Sequence, residues 1–197
     1  MVSRAELDVL TARLTARRAR RIDDPESRRA AVAVVLRVVD EETQVLLIRR
    51  AERTDDHWSG HMALPGGRAE PEDVDLIATA MREADEEVGL ALERARLLGP
   101  LDELYPRNGR GLVVSPFVFR VEGAPALRLS DEVSEWLWAP LAPLRAGEAA
   151  TEYPLEYNGM AMRFPAWKVT APGGERVVWG MTYRALESLL EVLDLER

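Results

Sequence analysis

The chain has no cysteine and only two histidines among its 197 residues. Without cysteine, a disulfide framework, a thiolate nucleophile and a zinc–thiolate site are all excluded. No run of about 18 apolar residues occurs, which argues against a membrane-spanning helix. Acidic residues outnumber basic ones, and the net charge of −8 argues against general nucleic-acid binding, which usually needs a basic surface.

What is present is typical of a globular protein. Hydrophobic residues make up 47% of the chain and charged residues 30%, and the length suits one domain or one domain with appendages. The first 20 residues are charged throughout and lack the apolar core of a signal peptide. We therefore expect a cytoplasmic location.

Hydrophobic patterning predicts a mixture of helices and strands. An amphipathic helix is expected from Ala5 to Arg21, and a closing helix from Thr182 to Leu195. The acidic turn at residues 40–42 predicts a hairpin between the first two strands. Strands are expected at residues 30–39, 43–50, 95–101, 112–121, 135–141, 162–169 and 176–182. Because strands and helices do not alternate regularly, the order favours an α+β or sandwich arrangement over a doubly wound sheet.

The stretch MREADEEVGL, residues 81–90, places three glutamates on one side of a predicted helix that ends at Gly89. Glu83 and Glu87, four residues apart, repel by about 0.2–0.5 kcal/mol on an exposed helix. Acidic side chains near a helix C-terminus also oppose the helix dipole. One interpretation is a solvated acidic face. The other is a set of oxygen ligands for a hard cation such as Mg²⁺ or Mn²⁺.

The segment GGRAEPEDVDLIATAMREADEEVGL, residues 66–90, resembles the Nudix box of Nudix hydrolases. The pattern R-E-x-x-E-E-x-G followed by an apolar residue is met at six fixed positions. These positions are Arg82, Glu83, Glu86, Glu87, Gly89 and Leu90. The spacing from the glycine pair to the early acid is one residue longer than in the common box, so that Asp73 is the nearest acid.

That longer spacing resembles the coenzyme A pyrophosphatase branch of the family, which has acids where Glu70 and Asp73 stand. An upstream LLxxR…G…FPGG pattern of the branch is also matched, with Leu64 in place of phenylalanine. It is matched at Leu46, Leu47, Arg50, Gly60, Pro65, Gly66 and Gly67. The branch has an arginine where Asp56 stands here, in the segment associated with coenzyme A recognition.

The resemblance implies a Nudix fold, a mixed β-sheet sandwiched between α-helices. It implies residues 31–197 as the Nudix domain and residues 1–30 as an N-terminal helical extension. The implied reaction is metal-dependent hydrolysis of a nucleoside diphosphate linked to another moiety. Glu83, Glu86 and Glu87 would be ligands of Mg²⁺ or Mn²⁺, with the carbonyl of Gly67 as a further ligand. Arg82 would orient the carboxylates.

Other candidates lie in the loops and at the strand ends. Glu132 is proposed as a base or accessory metal ligand, with Glu135 as the second choice; the alternative for Glu132 is a plain surface acid in a turn. Substrate-binding candidates are Arg50, Arg49, Trp58 and His61. The two arginines are suited to phosphate because a guanidinium binds such oxygens bidentately.

Three functions are open at this point. Coenzyme A or a derivative is the leading substrate, and the substitution at Asp56 motivates a nucleoside triphosphate, including an oxidised one, as the alternative. A non-catalytic nucleotide-sensing module is the third hypothesis, although the intact box argues against it. The expected partner is a small-molecule nucleotide, with no nucleic acid and no membrane. The family also suggests a homodimer, formed through the N-terminal helix or the tryptophan-rich strands.

Overall fold

The computed structural model describes residues 4–53, 59–92, 96–106, 111–157 and 160–194. Within these residues the main feature is a seven-stranded sheet. Its strands are β1 (Arg28–Val39), β2 (Glu42–Arg50), β3 (Met62–Ala63), β4 (Gly66–Arg68), β5 (Arg96–Pro100), β6 (Leu112–Arg120) and β7 (Val133–Pro140). The order is β3-β2-β1-β6-β5, with β4 added to β1 and β7 added to β2.

The large sheet is mixed, as the resemblance to Nudix hydrolases implies. Strands β1 and β6 run parallel, in register from Arg28 opposite Leu112 to Leu36 opposite Arg120. The other pairs, including β1 with β2 and β2 with β7, are antiparallel. One parallel pair among antiparallel ones requires the crossover that the helix after β4 provides.

The remaining elements form a smaller sheet and four helices within the described residues. The smaller sheet has the order β10-β9-β8. Its strands are β8 (Ala150–Tyr157), β9 (Met160–Ala171) and β10 (Gly174–Trp179). The helices are α1 (Arg4–Ala16), α2 (Leu76–Val88), α3 (Leu141–Arg145) and α4 (Gly180–Asp194).

The predicted hairpin between β1 and β2 is confirmed. Val39 pairs with Glu42, so that Asp40 and Glu41 form a two-residue turn with φ of 49° and 63°. Positive φ at both central residues is the geometry of a type I′ turn, whose twist matches that of the flanking strands.

Alternation along β1 divides the hydrophobic residues between two cores. Val34 and Leu36 face one cluster together with side chains of α1 and α4. Ala33 and Val35 face the other cluster, which α2 covers. The large sheet is therefore covered by helices on both faces, which confirms the predicted α+β arrangement. In the part of the chain that the structure describes, no helix combines the length and the apolarity needed to cross a bilayer.

Several details of the sequence-based prediction are wrong. Helix α1 ends at Ala16 rather than Arg21, because Asp102 accepts hydrogen bonds from the Arg17 guanidinium and from the backbone N–H of Arg20. These bonds hold the chain beside the β5–β6 connection. The sequence did not predict strands β3, β4 and β8. Pro154 lies within β8, and a proline usually argues against a strand.

Candidate active site

Helix α2 is bounded by specific residues at both ends. The carboxylate of Asp75 accepts a hydrogen bond of 2.8 Å from the backbone N–H of Ala78, which caps the N-terminus. At the other end Gly89 adopts a left-handed conformation with φ of 64°, as predicted for a glycine that follows a helix. The cap and the glycine fix the length of the helix that carries the glutamates.

The glycine turn brings strand β4 against both β1 and α2. Gly67 pairs with Ala31 of β1, and the backbone N–H of Gly66 donates a hydrogen bond of 2.9 Å to Oε2 of Glu87. A Cβ on Gly67 would lie only 2.2 Å from Oε1 of Glu83. The two glycines therefore allow the backbone to approach two of the helix carboxylates closely.

Helix α2, the segment after β4 and the β6–β7 loop line one cavity of about 340 Å³. Acidic side chains dominate its lining, and one arginine lies among them. The lining residues are Glu70, Arg82, Glu83, Glu86, Glu87, Ser130 and Glu132. The structure thus brings together the three box glutamates, the box arginine and the predicted loop glutamate.

Arg82 forms hydrogen bonds to several of the acidic side chains around the cavity. Its guanidinium donates hydrogen bonds to Glu83 at 3.1 Å, to Glu86 at 2.8 Å and to both carboxylate oxygens of Asp73 at 3.1 Å. It also donates to the carbonyl of Arg68 at 3.1 Å. The hydrogen bond from Arg82 lowers the pKa of Asp73 to about 2, and its bonds to Asp73 raise the pKa of the guanidinium above its ordinary value. Arg82 is held rigidly as a cation.

Burial dominates the electrostatics of Glu87 and Glu83. Glu87 is 5% exposed, and burial raises its pKa to about 8, although the N–H of Gly66 lowers it and the charge of Glu83 raises it further. Burial likewise raises the pKa of Glu83, partly offset by Arg82. A negative charge held away from water is costly unless a cation compensates it.

The donor set fits a divalent cation. Carboxylates are hard oxygen ligands of the kind that Mg²⁺ and Mn²⁺ prefer, and a cation would compensate the buried charge of Glu87. Among the described residues, no three acidic or histidine side chains already converge on one point; Arg82 instead bridges Glu83 and Glu86.

Of the two predicted base candidates, only Glu132 lines the cavity. Its side chain is 58% exposed, and its charge contributes to raising the pKa of both Glu83 and Glu87. Glu135 lies on β7 and accepts a hydrogen bond of 2.8 Å from Arg176 of the smaller sheet. This ion pair holds Glu135 away from the carboxylate cavity.

The two predicted phosphate-binding arginines have different surroundings. Arg50 is close enough to Glu87 for its charge to lower the pKa of that carboxyl group. Arg49 donates to the carbonyl of Gly60 at 3.1 Å and to Glu52 at 2.9 Å, which ties it to the loop that follows β2. Successive side chains of a strand point to opposite faces of the sheet, which accounts for the different surroundings of Arg49 and Arg50.

The remaining substrate candidates lie elsewhere. Nε2 of His61 is 3.3 Å from the hydroxyl of Tyr153, and the imidazole makes an edge contact with Trp179 at a centroid distance of 5.2 Å. The structure thus places His61 among aromatic side chains of the smaller sheet. Trp58 and Asp56 lie outside the described residues.

Sequence reasoning missed one important partner, Asp73 in its contact with Arg82. The sequence gives Asp73 no role in the site, but its side chain is 7% exposed and forms the bidentate contact with the guanidinium. The two residues are nine positions apart with a loop between them, so helical spacing gives no signal. The resemblance, which places an acid at this position, is the only hint. Ser130 was also not singled out.

Comparison with known proteins identifies the family. The NUDIX domain model matches residues 27–157. An uncharacterised Nudix hydrolase of Yersinia pestis, NudL, is 30% identical over 171 residues, which cover 86% of this chain and 81% of that protein. An uncharacterised protein of Schizosaccharomyces pombe is 44% identical over 119 residues, which are 57% of this chain but only 36% of that protein.

A solved structure supports the fold over nearly the whole chain. The MutT/nudix family protein from Enterococcus faecalis superposes with a TM-score of 0.54 at 16% identity, covering 98% of this chain and 73% of that one. Nudix hydrolases generally use divalent metal ions, which agrees with the chemistry of the carboxylate cavity. The chain therefore belongs to the Nudix family and is a Nudix hydrolase, an enzyme that cleaves pyrophosphate bonds in small-molecule substrates.

Proposed function

We propose that this enzyme hydrolyses the pyrophosphate bond of a nucleoside diphosphate linked to another moiety, with Mg²⁺ or Mn²⁺, and that coenzyme A or a derivative is its leading substrate. The observation that carries the proposal is the cavity lined by Glu83, Glu86, Glu87 and Glu132 beside the glycine turn. Such a cluster is costly unless it binds cations, and cations in turn bind phosphate oxygens.

Glu83, Glu86 and Glu87, with the carbonyl of Gly67, would hold the metal ions. The ions would neutralise charge on the phosphate oxygens and lower the pKa of a bound water. The chain's own residues position this assembly. The N–H of Gly66 holds Glu87, and Asp73 anchors Arg82 beside Glu83 and Glu86.

Arg50 and Glu132 would act on the substrate itself. The guanidinium of Arg50, at the end of β2 and within electrostatic reach of Glu87, would bind a phosphate oxygen. Glu132 would accept a proton from the water that attacks phosphorus, while the bond from that phosphorus to the bridging oxygen breaks. Its exposure and its place in the cavity lining support this role. Most of the catalysis would come from positioning and charge stabilisation.

The choice of coenzyme A rests on the longer glycine-to-acid spacing and on the upstream LLxxR…PGG pattern. We expect the purified protein with Mg²⁺ or Mn²⁺ to convert coenzyme A to 3′,5′-ADP and 4′-phosphopantetheine. The measurement is product separation after incubation with coenzyme A, ADP-ribose, NADH, nucleotide sugars and nucleoside triphosphates in parallel.

The same panel separates the alternatives. Turnover of triphosphates alone, with release of pyrophosphate and a monophosphate, would exclude coenzyme A as the substrate. It would favour the nucleoside triphosphate hypothesis that Asp56 motivates. Tight binding of a nucleotide without hydrolysis in any divalent ion would instead indicate a sensing module.

A further inference from the structure

The edge strand β7 carries two tryptophans on the face of the large sheet that α2 shares. Trp138 lies opposite Leu46, and Trp136 lies opposite Ile48 of β2. Directly opposed residues of antiparallel strands point to the same face, and both Leu46 and Ile48 belong to the core under α2. The two indole rings therefore stand on the same side of the sheet as the carboxylate helix.

Helix α2 leaves this edge of the sheet open. It packs mainly on β1 and β4, whereas β7 lies beyond β2 at the margin of the sheet. Trp138 packs against the core, and the guanidinium of Arg37 lies 4.2 Å from its ring centroid. Trp136, by contrast, is 38% exposed, although burying a tryptophan is among the largest hydrophobic gains available to a chain.

Trp136 is also close to the catalytic cavity along the strand. Beyond Ile48, the next side chain of β2 on this face is Arg50, about 7 Å away along the strand. The register of β7 shifts here, so that Arg50 lies opposite Val133, which belongs to the core under α2. The charge of Arg50 lowers the pKa of Glu87. Glu132, which lines the cavity, directly precedes β7. A phosphate held beside Arg50 would thus place the far end of an attached ribose near the indole of Trp136.

We propose that Trp136 is the stacking platform for the nucleobase of the substrate, an inference that rests on the proposed hydrolysis of a nucleoside diphosphate derivative. An exposed indole presents a π-face to an aromatic base, and such stacking is worth about 1–3 kcal/mol per base. The site recognises the base by its face rather than by its hydrogen-bonding edge. It gives affinity for the nucleoside half of the molecule and leaves the other half to a different part of the surface.

The test compares Trp136→Ala and Trp136→Phe with the parent enzyme on two substrates, an ADP-linked diester and the same diester lacking the base. With the ADP diester we expect KM to rise about tenfold in Trp136→Ala, with kcat within about twofold, and Trp136→Phe to restore most of the loss. With the abasic diester the three proteins should have equal KM values. Met160→Ala, which removes an exposed apolar side chain of the smaller sheet, is the control and should behave as the parent.

Equal losses on both substrates, or no loss on either, would overturn the assignment. A second measurement tests the stacking site separately from the proposed reaction. It is the binding of ADP in the presence of Mg²⁺, measured by calorimetry. If the parent binds ADP about tenfold more tightly than Trp136→Ala but hydrolyses no diester, the proposed reaction fails and the stacking site stands. If ADP binds both proteins equally, or binds neither, the stacking site fails.

Discussion

Replacing either Glu86 or Glu87 with glutamine is expected to lower turnover by about two to four orders of magnitude without unfolding the protein. Each substitution removes a negative oxygen donor from the cavity while keeping the shape of the side chain. A metal ion contributes several kcal/mol of charge stabilisation in the transition state, and each 1.36 kcal/mol corresponds to about tenfold in rate. The measurement is kcat with saturating Mg²⁺ or Mn²⁺.

Asp85→Asn is a matched control because Asp85 is an exposed acid of the same helix and does not line the cavity. It removes the same charge from α2 and should leave kcat within about twofold. Near-normal turnover in both glutamate variants would contradict the assignment of the metal site.

Glu87→Gln should also reveal the cost of the buried charge in protein stripped of metal. Because its folded pKa of about 8 lies above the ordinary value, ionisation of Glu87 costs stability. The parent is therefore stabilised at low pH and loses that stability as the pH rises through about 8. The variant, which can still accept the hydrogen bond from Gly66, should be the more stable protein at pH 9 in EDTA and should show little advantage at pH 5. Urea denaturation at the two pH values measures this difference. An advantage independent of pH would contradict the explanation.

Alanine substitutions at the two glycines of the turn are expected to have different effects. At Gly66 a Cβ would lie 2.4 Å from the carbonyl oxygen of Ala31 and 2.6 Å from Cα of Val32. Both are backbone atoms of a central strand that cannot move aside. Gly66→Ala should therefore lower the free energy of unfolding by about 3 kcal/mol or more.

At Gly67 the same methyl group would meet the carboxylate of Glu83, the far end of a side chain that can rotate away. Gly67→Ala should keep the fold but displace a carboxylate oxygen of the proposed metal site, and a displacement of about 1 Å can cost about 100-fold in rate. Denaturant titration and kcat measured on both variants check the pair. Loss of folding in Gly67→Ala, or normal stability in Gly66→Ala, would contradict the description of the turn.

The sequence predicted features that depend on local chemistry. The end of α2 at Gly89, the hairpin at Asp40 and Glu41, and the grouping of the three glutamates on one side of α2 follow from turn geometry and helical period. These features need only neighbouring residues for their explanation. The mixed order of strands and helices was likewise enough to predict the α+β class.

Features that depend on distant contacts were missed. The early end of α1 results from Asp102, some 80 positions along the chain, and the contact of Asp73 with Arg82 crosses a loop. The position of Trp136 opposite Ile48 follows from the pairing of β7 with β2, which no periodicity within β7 could show. In each case the missing information is which segments of the chain meet.

The central claim is that the glutamates of α2 are clustered because they bind cations that hold a pyrophosphate. Anomalous diffraction from crystals soaked with Mn²⁺ tests it most directly. We expect at least one anomalous peak within coordination distance, about 2.2 Å, of the carboxylates of Glu83, Glu86 and Glu87. Crystals saturated with Mn²⁺ that show no peak beside these side chains would contradict the claim.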